Sequence, residues 1–329
     1  MAKTEGQKLK LLYLKDYLCK NTDETHPVSA HTLLEHLEHL GIKAERKSLY
    51  SDLTSLSNYG LEIVYRRSPP EGYYVKNRDF ELSELKFLID AVLSSRFLSP
   101  KHSAQLIRKL ASLSSIHEAA LLRREIVLAG RVKSESEEAF SAVDQIHEAI
   151  ARNRRIRFRY FDWGMDLQKH FRPGLYEASP YALLWDDENY YLVAHSDKHG
   201  LTHYRVDKME DISLTTEARR VTEETAAFDP GIYSKEMFGM YRGERLNLKL
   251  RFDASLAGVV VDRFGKDILM TPDGEGRFTM QTKVVLSPNF FAWLCRFAGR
   301  ASIVHPPQAV EAFRDYCQKI LSAITADQP

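Results

Sequence analysis

The spacing of apolar residues changes period part-way along this chain, which limits it to separately built modules. Around residue 50, Leu49, Leu53 and Leu56 recur at four- and three-residue intervals, as on a helix with one buried face. Around residue 157, Ile156, Phe158 and Tyr160 alternate strictly with Arg155, Arg157 and Arg159, as on a strand with one buried face. A length of 329 residues exceeds one ordinary core and predicts two or three domains. The order of textures predicts a multidomain α+β chain.

Five segments follow from those textures. Residues 1–78 read as helix, helix, helix and a short strand pair. Residues 79–140 read as a helical linker, with Leu85, Leu88, Ile89, Val92 and Leu93 at helical spacing and a charged tract over Ser134–Glu138. Residues 141–220 read as a β module, 221–243 as a connecting loop, and 244–329 as a small α/β sandwich suited to dimerisation or regulation.

Composition closes some function classes. The net charge of +1 excludes a bulk polyanion binder, so nucleic-acid binding has to come from local patches. Cys19, Cys295 and Cys317 lie far apart without CxxC spacing and suit a reducing cytoplasm. No apolar run approaches the ~20 residues of a membrane helix, and charge interrupts the first residues where a signal peptide would be apolar.

In the first segment Leu9, Leu12, Tyr13 and Leu18 are expected as the stripe of one helix. Ser29 is the expected N-cap of a second, with Leu33, Leu34, Leu37 and Leu40 buried and Gly41 ending it. A third begins near Ala44. Opposite its leucines lie Lys47, Ser48, Ser51, Thr54 and Ser55, flanked by Arg46 and Tyr50. This face is small, hydroxyl-rich and basic, and suits a DNA major groove. A hairpin around Ser68–Glu71 follows, with Arg66 and Arg67 near its tip, placed for phosphate contacts. The order is that of a winged helix-turn-helix reading duplex DNA.

The guanidinium row of Arg155, Arg157 and Arg159 leaves two readings open. It is either a solvated strand face or an anion surface, single-stranded nucleic acid included.

Further on stand Phe171-Arg172-Pro173, Ser179-Pro180-Tyr181, Tyr190-Tyr191-Leu192 and Tyr204-Arg205-Val206-Asp207-Lys208-Met209. In this order they resemble the WYL domain family, with Tyr190 where the family usually carries Trp. The last segment, with Asp262-Arg263-Phe264-Gly265 and Phe291-Ala292-Trp293-Leu294, is similar to the C-terminal extension of such proteins. The resemblance implies an SH3/Sm-like barrel that senses a ligand (nucleic acid, nucleotide or another anion) in a homodimeric regulator. It implies Tyr181, Tyr191, His195, Arg205, Asp207 and Lys208 as sensor residues.

No catalytic residue, metal ligand or cofactor is expected. His195, His199 and His203 fall on strands around a turn, and only His36 and His39, not His31, share helical i, i+3 spacing. Asp162, Asp166, Asp186, Asp187 and Glu188 could be imagined as a metal-dependent nuclease site, but they sit in turns without matched partners. The expectation is a DNA-binding transcriptional regulator and not an enzyme.

Overall fold

The computed structural model describes residues 8–124, 133, 138–226 and 228–326. Most of the Ser134–Glu138 tract therefore lies outside the described residues. The chain is a mixed α+β protein that divides into two compact units, residues 1–137 and 138–329.

The first unit opens with α1 (Lys10–Asn21), α2 (Ala30–His39) and α3 (Arg46–Asn58), followed by the antiparallel strands β1 (Ile63–Arg66) and β2 (Gly72–Val75). Their shared core is Leu14, Leu18, Leu33, Leu37, Ile42, Leu49, Leu53, Leu56 and Val75. Ser29 caps α2 by accepting the Thr32 N–H, and Gly41 takes φ +74° after it.

Two expected stripes are corrected. Leu9 and Leu12 are exposed; the buried line of α1 is Lys10, Leu14, Leu18. Lys10 holds that line because its ammonium meets Asp52 of α3 at 2.5 Å and donates to Ser48 Oγ at 2.8 Å. On α2, Leu40 is exposed past the last turn, and Ile42 takes the buried place. Helices α4 (Leu82–Ser94), α5 (Pro100–Ala111) and α6 (Ile116–Arg124) complete the unit around Leu85, Ile89, Ile107 and Leu122.

The second unit begins with α7 (Ala139–Ala151), which packs on a curled antiparallel sheet. Its strands are β3 (Arg154–Trp163), β4 (Lys169–Phe171), β5 (Tyr176–Asp186), β6 (Asn189–Ser196), β7 (Gly200–Arg205) and β8 (Met209–Ala218). One edge of β3 pairs with β4 and β5, and β8 takes the other edge with two register shifts. The sheet then runs from β5 through β6 to β7.

The segment expected as a connecting loop contains α8 (Glu223–Ala226) and α9 (Pro230–Glu236). Asp229 starts α9 by accepting the Gly231 and Ile232 N–H groups, with Pro230 at the first helical position.

Last come β9 (Arg245–Asp253), α10 (Ala257–Phe264), β10 (Met270–Pro272), β11 (Arg277–Val285), α11 (Pro288–Cys295), β12 (Ala301–His305) and α12 (Pro307–Ala326). They form a four-stranded antiparallel sheet ordered β10-β11-β9-β12. Its core centres on Leu250, Phe252, Val260, Phe290 and Leu294.

Candidate functional site

Helix α3 buries Leu49, Leu53 and Leu56 and leaves Arg46, Lys47, Tyr50, Ser51, Thr54 and Ser55 exposed. Thr54 and Ser55 donate their hydroxyls to the Tyr50 and Ser51 carbonyls, which lays them flat on the helix. Ser48 is a correction: its bond to Lys10 turns it inward, away from the exposed face. The Lys10–Asp52 pair fixes the helix from behind and neutralises its acidic residue. Among the described residues Arg46, Lys47 and Arg67 meet no carboxylate in an ion pair.

Arg66 is a second correction. It donates Nη1 to the Glu24 carbonyl at 2.6 Å and Nε to Ser68 Oγ at 3.2 Å, so it staples the hairpin to the α1–α2 connection. Only Arg67 of the hairpin pair extends toward solvent.

The arginine row of β3 sits as the alternation requires, above buried Ile156, Phe158 and Tyr160. Each guanidinium nevertheless faces acid from a neighbouring element. Arg155, with 13% of its side chain exposed, pairs with Asp197 at 2.7 Å and Glu217 at 3.0 Å. Arg157 pairs with Glu177. Arg159 reaches Asp211 at 3.3 Å and lies 3.6 Å over the Phe171 ring. The row is an ion-pair ladder, which corrects its reading as an anion or single-strand surface.

The six residues implied by resemblance do not converge. Tyr191 and Arg205 are direct cross-strand partners, and Arg205 grips Asp207 with two bonds of 3.1 and 2.8 Å and Asn189 with one of 2.9 Å. This closed pair, assisted mainly by the Asp207 hydrogen bonds, holds the guanidinium above its usual range. Tyr181 lies elsewhere, donating to the Arg220 carbonyl beneath the Arg219 guanidinium at 4.8 Å. Lys208 reaches Asp162 at 3.4 Å, which Arg172 already holds at 2.7 Å. His195 keeps a buried Nδ1 without a partner among the described residues.

One feature escaped the sequence reading. A cavity of about 350 Å³ opens between β7, the α9 segment and the end of β11, lined by His203, Tyr233, Arg242 and Arg245 against Met237 and Val285. His203 Nε2 lies 2.7 Å from the Tyr233 hydroxyl. Burial, then the nearby Arg242 charge, pushes the imidazole down to about 4 against a weaker backbone bond to Met240. A lowered imidazole is neutral at neutral pH, and its Nε2 shares one hydrogen bond with the Tyr233 hydroxyl. Arg245 is held by Glu236, with one bond of 2.7 Å, and Arg242 donates to the His199 and Leu201 carbonyls. The buried Met237 and Met240 were the available signal that this stretch packs.

No group of three His, Cys, Asp or Glu side chains gathers as a metal site among the described residues. Asp162 and Asp166 face Arg172 and His170 instead. No helix among the described residues is long and apolar enough to cross a membrane.

Comparison with known proteins bears on the second unit. Residues 141–214, from within α7 to within β8, match the WYL domain model, and residues 244–321 match the WCX domain model. The chain carries a WYL domain. Behind its WYL domain stands a WCX domain made of β9 to α12. Among solved structures it is similar to proteasome accessory factor B/C (PafBC) of Arthrobacter aurescens, at 17% identity and a TM-score of 0.28, covering 97% of this chain and 49% of that one. It is also similar to a CRISPR Cas-related protein, at 14% identity and a TM-score of 0.36, covering 98% of this chain and 85% of that one. The WYL-domain chain thus spans about half the length of the PafBC chain. No curated protein matches it.

Proposed function

We propose that this WYL-domain protein is a sequence-specific DNA-binding transcription regulator. Its first 78 residues act as a winged helix-turn-helix, with α3 entering the major groove and the β1–β2 hairpin resting on backbone. One observation carries this reading. The exposed face of α3 offers Arg46, Lys47, Tyr50, Ser51, Thr54 and Ser55, and among the described residues its cations have no internal carboxylate to pair with. Cations without internal partners are available to phosphates, and short hydroxyl side chains let the helix approach base edges.

The regulator works in the cytoplasm as a homodimer on a two-fold operator, and no catalytic step belongs to it. A small ligand taken up by the second unit, whose WYL domain folds as an SH3/Sm-like barrel, changes the affinity for DNA. Operator sequences selected from a random duplex pool supply the test. Lys47→Ala combined with Ser51→Ala should remove the gel shift on the selected duplex while circular dichroism stays unchanged. Equal affinity of that double variant and the wild type would defeat the assignment.

A further inference from the structure

The turn between β5 and β6 carries Asp186 and Asp187 to the edge of the WYL domain. Opposite them, Arg263 on α10 and Arg296 just past the end of α11, both in the WCX domain, line an open cleft of about 540 Å³. Neither carboxylate forms an ion pair with either guanidinium among the described residues. Arg263 lies 4.0 Å over the Phe238 ring and donates one Nη2 bond to the Met237 carbonyl. Its Nε and Asp186 Oδ2 are both buried without a hydrogen-bond partner. Phe238 and Trp293, with ring centroids 5.3 Å apart, form the apolar wall.

Half-buried opposite charges gain by closing on each other, because each loses solvation whether or not it is paired. Here Asp186 and Arg263 are half-buried and form no ion pair, while Asp187 and Arg296 are exposed at the mouth. Burial, first of all, raises the Asp186 carboxyl against the Arg263 charge and the Gly239 and Asp187 N–H groups, and lowers the Arg263 guanidinium against the Asp186 charge, so the two groups sense each other across the cleft without an ion pair. Gly239 lines the cleft at φ +66°, a backbone conformation that favours glycine, and a Cβ there would meet the end of the Asn289 side chain.

We propose that this cleft binds a small zwitterion of the α-amino-acid type, its ammonium facing Asp186 and Asp187 and its carboxylate facing Arg263 and Arg296. An apolar or aromatic side chain would lie on Trp293, beside the Arg263-covered Phe238 ring. A simple anion would satisfy only the arginine wall and a simple amine only the aspartate wall; the zwitterion satisfies both. The inference deepens, and for its regulatory meaning rests on, the reading that a small ligand in the second unit controls DNA binding.

The test is direct calorimetry on the full chain without DNA, so that its outcome is independent of operator binding. L-Phenylalanine and L-leucine are titrated, with phenethylamine and 3-phenylpropionate as analogues that each keep one charge. At least one of the two amino acids should bind, and the two one-charge analogues should bind at least about tenfold more weakly than L-phenylalanine, or not at all if L-leucine is the ligand. Asp186→Asn, which preserves shape, should weaken amino-acid binding by about tenfold or more, and Arg296→Gln should weaken it too. Absence of heat with both amino acids overturns the proposal. So does an analogue that binds as tightly as L-phenylalanine, or Asp186→Asn with unchanged affinity.

Discussion

Helix α3 and strand β3 present similar runs of cations, yet their surroundings differ: the β3 guanidiniums meet carboxylates, and among the described residues the α3 cations meet none in an ion pair. On β3, Arg155, Arg157 and Arg159 project from one sheet face, and a sheet brings neighbours to every position. Glu177 arrives from β5, Asp211 and Glu217 from β8, and Asp197 from the turn after β6. On α3, Arg46 and Lys47 lie on the face turned away from its packing partners, while the one carboxylate of the helix, Asp52, is taken by Lys10 from the inner side. The number of cations in a segment does not decide whether it binds anions. What decides is whether the fold delivers carboxylates to them.

Three changes probe that contrast, and the largest effect is expected on the inner side of α3. Lys10 is 9% exposed, and Lys10→Met leaves Asp52 half-buried without its cation. A loss of about 3 kcal/mol in the unfolding free energy of the first unit is expected from urea denaturation. A change under about 0.5 kcal/mol would mean the pair does not hold the helix. Arg155→Met comes next. It leaves Glu177, Asp197 and Glu217 facing each other, but these are partly solvated, so about 1–2 kcal/mol is expected, confined to the second unit. Its duplex affinity should equal that of the wild type.

The smallest effect concerns pH. His203 is pushed down to about 4, so between the ordinary 6.5 and about 4 the unfolded chain binds a proton that the folded one refuses. Stability of the second unit should therefore fall as pH drops through that window. In the first unit, Asp23 is lowered to about 2: burial opposes this, but bonds from Ser115, Thr25 and His26 outweigh it. Its contribution is present above 3.8 and is lost only as pH falls from there toward about 2. Acidification to pH 5 should thus destabilise the second unit through His203, while His36, also lowered by burial, adds a smaller effect of the same sign in the first. His203→Asn should flatten the second unit's response, and an unaltered pH profile in that variant would remove His203 as its cause.

Much of the fold was legible because local patterns report local structure. The leucines of α3, the Ser29 cap and the Ile156–Phe158–Tyr160 alternation each need only their own segment to be read. The quoted WYL pieces likewise marked the region that matches the WYL domain model. What stayed hidden depended on partners distant in sequence. Lys10 looks like a surface lysine until Asp52 arrives, Arg66 like a phosphate contact until the Glu24 carbonyl does, and Arg155 like part of an anion surface until Asp197 and Glu217 do. The cavity at His203 and the cleft at Arg263 were illegible for the same reason, since each is built from segments of two domains.

The contrast between the two cation sets is tested most directly by the salt dependence of duplex binding, measured by fluorescence anisotropy over a range of potassium chloride concentrations. Each phosphate contact contributes about 0.9 to the slope of log affinity against log salt. Arg46→Ala with Lys47→Ala should lower the affinity at least about tenfold and reduce the slope by about 2, whereas Arg157→Ala with Arg159→Ala should leave both as in the wild type. The reverse pattern, with the slope lost from the β3 pair and kept in the α3 pair, would contradict the account.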